Sequence, residues 1–251
     1  MGKTLRLSEA AAAGALLPAT RVRVPSKSRL EVTGSTRLDQ IRMVGCQLLF
    51  EYGYSGMTMR QIAARLHIKA ASLYYHFPSK QDILFDLMRA TASELLDGLR
   101  CIAESDEDPE QQLDAAVRWH VLFHTQKREE AFVSHSELRS LEEENLKTVL
   151  KLRREYERLF DAILKRGQRE GVFRVSETSV VRNCILTLCT ATAGWFSPQG
   201  RLSADQVAEH IQNFVRAALL RKDPALSSHS VPSADSTPSC KPTPASERLV
   251  S

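Results

Sequence analysis

The stretch TMRQIAARLHIKAASLYYHF, residues 58–77, decides how this chain is read. Thr58 followed by Gln61 is a capping box, in which hydroxyl and amide satisfy the free backbone N–H groups that open a helix. Within residues 59–66, Ile62, Ala63 and Leu66 share one helical face. A second short helix is expected over residues 69–76, stopped by Pro78. Two short helices joined by a tight turn form a helix-turn-helix. In that unit the first helix crosses the phosphate backbone and the second lays its N-terminal side chains in the major groove. Ala70, Ala71 and Ser72 are small enough to let the second helix press against base edges. Tyr74, Tyr75 and His76 carry hydroxyl or imidazole donors for phosphates, and Thr58 and Lys80 stand at helix starts, where free amides favour anions. Arg60 and Lys69 add cations. Taken singly, such tyrosines are more often packing residues and such cations are usually just solvated. The ordered combination carries the reading, with Leu73 and Phe77 as core.

Helical periodicity continues on both sides. Leu38, Ile41, Val44, Leu48 and Leu49 recur at spacings of three and four, and Gly53 and Gly56 then interrupt the chain. Ser79 with Asp82 opens a helix to about residue 99, and Asp108-Pro109 opens one to about 125. Further helices are expected over 130–141, 145–169, 176–196 and 203–221, and no strand alternation or internal repeat is seen. The fold class is therefore all-α, with about nine helices. The organisation expected is a disordered basic arm over residues 1–34, a DNA-binding domain over 35–96, a helical ligand-sensing and dimerisation domain over 97–222, and a disordered Ser/Pro-rich tail over 223–251.

Charge supports this division. The net charge is +4, but residues 1–90 hold thirteen Lys/Arg against six Asp/Glu, whereas residues 91–223 hold nineteen against twenty-two. A basic end on a slightly acidic body suits a polyanion partner. The 251 residues are 43% hydrophobic and contain no apolar run of membrane-spanning length, so no membrane partner is expected. Cys46, Cys101, Cys184, Cys189 and Cys240 are scattered without a CxxC pair, which fits free thiols in the cytoplasm. No GxSxG, P-loop, GxGxxG or zinc spacing is present, so no catalytic residue, metal or cofactor is expected.

The runs LFEYGYSGMTMRQIAARL and SLYYHFPSKQDIL, within residues 38–95, resemble the N-terminal domain of the TetR family of bacterial transcriptional regulators. Two positions depart from the family pattern. His67 stands where the turn usually has Gly, and Lys69 where the next helix usually has a capping Ser. The resemblance implies a homodimer that reads a palindromic operator, paired through its last two helices. It also implies a C-terminal cavity whose occupant shifts the two DNA-reading heads and releases the DNA. Residues 176–196 and 203–221 are apolar enough to pair as a four-helix bundle, with Thr187, Ala191 and Gly194 allowing close approach.

The runs HSELRSL, GVFRV and WFSPQGRLS resemble, more loosely, a subgroup of which some members sense fatty acyl or related acyl-CoA thioesters. The candidate ligand residues are His120 and His124, four apart on one stripe, with Trp119, Phe123, Tyr156 and Trp195 as apolar walls and His135 and Arg139 beside them. A smaller amphipathic effector fits equally well, because residues 176–196 offer few cations for CoA phosphates. The function expected is a DNA-binding regulator, a repressor released by a small hydrophobic or acyl-CoA-type molecule. The alternatives are a regulator answering to a protein partner or to no ligand, and, more remotely, an enzyme using His120 and His124 with or without a metal.

Overall fold

The computed structural model describes residues 36–220. The arm expected over 1–34, the tail expected over 223–251 and Cys240 lie outside the described residues. Among the described residues the structure is all helical, with one isolated bridge pairing Phe173 and Leu220. The helices are α1 Arg37–Gly56, α2 Met59–Arg65, α3 Ala70–His76, α4 Lys80–Ala103, α5 Pro109–Gln126, α6 Arg128–Ser136, α7 Glu143–Arg169, α8 Thr178–Thr190, α9 Thr192–Trp195 and α10 Ala204–Leu219.

Most starts are set by the polar residue just ahead of the helix. Reciprocal capping boxes join Thr36 to Asp39, Thr58 to Gln61, Asp108 to Gln111 and Ser203 to Gln206. Ser79 caps α4 by accepting from the Asp82 amide. Gly53 takes φ 67° and ψ 175° inside α1, a conformation that glycine adopts at little cost, and it bends the chain into the turn before α2.

Two features differ from the periodicity. The helix expected over 176–196 breaks at Ala191, where the buried Thr192 hydroxyl donates to the Cys189 carbonyl at 2.6 Å and competes with the helical ladder. Taking α8 and α9 as one interrupted rod returns the nine expected. The helix expected over 130–141 ends at Ser136 and is followed by a 3₁₀ turn, Leu138–Ser140.

The apolar side chains gather into two cores. The first is built from α1–α3 and the start of α4, with Ile41, Leu48, Leu49, Ile62, Leu73 and Leu84 each 1% exposed or less. Val133, Leu141 and Val149, which follow far later in sequence, complete it. The second holds Leu99, Val117, Phe160 and Leu164, closed by Val207, Ile211 and Val215 of α10. Each such side chain contributes about 1.5–3 kcal/mol on burial. The helix α4 runs unbroken through both cores, so the division expected at 96/97 falls within one continuous rod.

Candidate nucleic-acid interface and internal cavity

In the first core, α3 is anchored through Leu73, which is fully buried, while most of its remaining surface faces outward. Tyr74 is 50% and Tyr75 87% exposed, and Arg60, Lys69, Ala71 and Ser72 are exposed on the same unit. Ala70 and His76 are half-buried, the His76 ring standing edge-on to Tyr75 at 5.3 Å. Arg60 and Lys69 make no ion pair among the described residues, whereas Arg65 is held by Glu51 at 2.6 Å. Thr58 is exposed, but its hydroxyl serves the α2 cap. The Lys80 ammonium lies over the Tyr54 ring at 4.3 Å and donates to the Tyr54 and Met57 carbonyls at 2.9 and 3.4 Å. Its charge already sits at the carbonyl-rich end of α1.

The turn between α2 and α3 shows the two departures at work. His67 adopts φ 53°, the left-handed conformation that glycine takes more readily. The His67 amide donates to Ala64 and the Ile68 amide to Ala63, the paired bonds that close a helix at such a residue. Lys69 precedes α3 and gives it no side-chain cap.

A cavity of about 460 Å³ lies between α4, α5, α6, α7 and α8. It brings together His120, Phe123, His124, His135 and Tyr156 of the expected ligand residues. Three others stand outside it. Trp119 packs on Gly98, where a methyl group would meet the indole at 2.2 Å, and its Nε1 donates to the Leu95 carbonyl. Arg139 is exposed in the 3₁₀ turn, and Trp195 is 58% exposed at the end of α9. Aromatic bulk in the sequence does not say which side of a helix faces inward.

The lining is mostly apolar, with one polar, hydrogen-bonded chain running through it. His120 Nδ1 meets the Tyr156 hydroxyl at 2.8 Å and Nε2 meets Thr190 Oγ1 at 3.0 Å. His124 Nδ1 lies 2.8 Å from the His120 carbonyl, so that nitrogen carries the proton. The two imidazoles stack in parallel at 4.2 Å and 3°, a geometry that does not converge their lone pairs on one centre. No group of three or more His, Cys, Asp or Glu is placed to hold a metal among the described residues. Burial pushes His120 well below the ordinary histidine range, reinforced by His124 and His135. Burial lowers His124 to about 4, against the opposing bond from the His120 carbonyl.

Two polar residues of the wall, Arg153 and Ser134, are among those that sequence reasoning missed. Arg153 lies in the wall and donates to the Ser134 carbonyl at 2.6 Å, and Ser134 is buried with its own hydroxyl unpartnered among the described residues. The signal for Arg153 is its place four residues after Val149 and three before Tyr156, on the buried stripe of α7.

Helix α6 connects the cavity to the first core. Ser134 and His135 line the cavity, Val133 completes the core, and Phe132 meets Phe50 of α1 edge-on at 5.1 Å. Next to it, the buried Gln81 amide donates to the Tyr54 hydroxyl and the Ser140 carbonyl, and its oxygen accepts from the Glu142 amide.

Comparison with known proteins gives the same assignment for both halves. Residues 41–87 match the bacterial regulatory proteins of the tetR family, and residues 106–219 match the tetracyclin repressor-like C-terminal domain. The HTH-type transcriptional repressor KstR2 of Rhodococcus jostii is 25% identical over 190 residues, covering 72% of this chain and 90% of its own. The TetR regulator PfmR of Thermus thermophilus superposes with a TM-score of 0.67 at 26% identity, over 72% of this chain and 99% of its own. AibR, solved with isovaleryl coenzyme A and operator DNA, shares the fold with a TM-score of 0.66 at 23% identity, over 71% of this chain and 97% of its own. With an exposed helix-turn-helix at one end and a hollow helical body at the other, the chain belongs to the TetR family of DNA-binding transcriptional regulators.

Proposed function

We propose that the protein is a homodimeric repressor of a palindromic operator, released from it by a small hydrophobic or acyl-CoA-type molecule in the cavity. The observation that carries this reading is the two-sided α6. One side lines the cavity through Ser134 and His135, and the other enters the core of the DNA-reading head through Val133. An occupant that favours one placement of α6 thereby favours one placement of the head. The size of the response is set by its differential affinity for the two. The docking face consists of Arg60, Lys69, Ala70, Ala71, Ser72, Tyr74, Tyr75 and His76, with Thr58 and Lys80 at the helix starts beside it.

Val180, Trp195 and Phe214 are each more than half exposed on α8, α9 and α10, and nothing lies within 4 Å of where a Gly194 side chain would start. That surface suits a second copy packed as a four-helix bundle. The relatives support the reading: KstR2 is a repressor, and AibR was solved with an acyl-CoA and its operator. Acting on DNA, the protein works in the cytoplasm. Its histidines hold the cavity wall together and perform no catalysis.

Native mass spectrometry of the purified full chain tests this directly, combined with duplex binding to a site selected from random sequence. The expected result is twice the 28.1 kDa chain mass with a retained small molecule, whose removal tightens duplex binding. A monomer without affinity for any selected duplex contradicts it.

A further inference from the structure

The wall of the cavity has one guanidinium that no carboxylate meets at ion-pair distance among the described residues. The Arg153 guanidinium is drawn into the cavity wall, where burial lowers its hold on its proton, and its bond is to a neutral carbonyl, that of Ser134. Among the described residues it makes no ion pair. Glu157, the other formal charge in the wall, favours the charged guanidinium from a distance and itself stands 3.8 Å from Arg182, which binds Asp161 more closely at 2.7 Å. The Ser134 hydroxyl, in the same wall, is buried without a partner among the described residues. A desolvated cation next to an unsatisfied donor costs free energy in the empty protein, and a bound anion offsets it. The rest of the lining alternates apolar surface, such as Met88, Leu95 and Phe123, with the neutral His120, Tyr156 and Thr190 chain.

We propose that the effector is an apolar molecule carrying a single negative charge, a free carboxylic acid, with its carboxylate on the Arg153 guanidinium and the Ser134 hydroxyl. This rests on the reading of the cavity as the effector site. A coenzyme A thioester brings several phosphate charges, and the wall offers one guanidinium for them, with the Glu157 carboxylate opposing further negative charge. A carboxylate matches that count, and the guanidinium fork suits its two oxygens.

Three matched probes separate the possibilities: decanoic acid, 1-decanol and decanoyl coenzyme A. Each is titrated against the full chain, with the shift in melting temperature and the loss of affinity for a selected duplex as readouts. Decanoate is expected to act at about tenfold lower concentration than decanol. Arg153→Met abolishes that difference, and Arg153→Lys restores part of it. If decanol equals decanoate, or decanoyl coenzyme A binds most tightly and Arg153→Met leaves it unchanged, the carboxylate assignment is wrong while the effector reading stands. If none of the three moves either readout, both fall together.

Discussion

The two ends of this molecule place their chemistry on opposite sides of the same kind of wall. In the DNA-reading head the core is apolar and sealed: Leu73 fastens α3 from beneath, and the groups offered to a partner, Tyr75 above all, stand in solvent. In the body the chemistry is inside. His120 and His124 are 3% and 2% exposed, and they border a cavity with Tyr156 and Arg153. A sealed unit moves as one piece, because close-packed apolar side chains have few alternative arrangements. A hollow interior, apolar apart from a few hydrogen-bonded groups, is where an occupant can change the balance between states. The contrast assigns reading to the head and sensing to the body, with α6 shared between them.

The largest expected effect lies in the head. Leu73→Ala removes the buried anchor of α3 and should cost about 2–5 kcal/mol in urea denaturation. Duplex binding should be lost while native mass spectrometry still shows an assembled body. Equal unfolding of both halves would break the comparison.

Acid should act on the body instead. The folded-state pKa of His124, about 4, lies below the ordinary 6.5, so the fold holds the neutral ring while the unfolded chain takes up a proton. Stability is complete above pH ~6.5 and falls as the pH drops toward ~4, by up to about 3 kcal/mol from this residue. His124→Gln should make the dependence of melting temperature on pH shallower across that window, the remainder coming from His120 and His135, which burial also lowers. An unchanged slope would move the acid sensitivity elsewhere.

Gly98→Ala forces the Trp119 indole away from α4 and should cost about 1–3 kcal/mol, read as a lower melting temperature. The smallest effect is a gain. Lys69→Ser supplies the missing cap of α3 and should stabilise by about 1 kcal/mol while weakening duplex binding, because the cap and the cation compete for one position.

What the sequence discloses follows the range of the interactions involved. The caps at Thr58 and Ser79 depend on residues three positions apart, and each forms as its spacing predicts. The cost accepted at His67 is visible for the same reason, since a residue in a glycine position must adopt a glycine-like φ. The cavity depends on five helices spread over about a hundred residues, and only the members on obvious apolar stripes are legible in advance. Arg153 sits on such a stripe but is hidden by its own charge. Trp119 reads as a wall residue because nothing local shows that Gly98 leaves a slot for an indole. The break at Ala191 depends on the aim of one hydroxyl, that of Thr192, which periodicity does not register.

One titration bears most directly on the placement of the outer face of α3 in the major groove of duplex DNA. Fluorescence anisotropy would follow wild type and the double variant Lys69→Ala, Tyr75→Ala on one selected palindromic duplex, from about 50 to 200 mM salt. Both side chains are exposed, so their removal leaves the core intact. That placement predicts at least a roughly tenfold weaker complex and a shallower slope of log affinity against log salt, by about 0.9 for each phosphate that is no longer neutralised. Identical affinity and slope in the two proteins would contradict it.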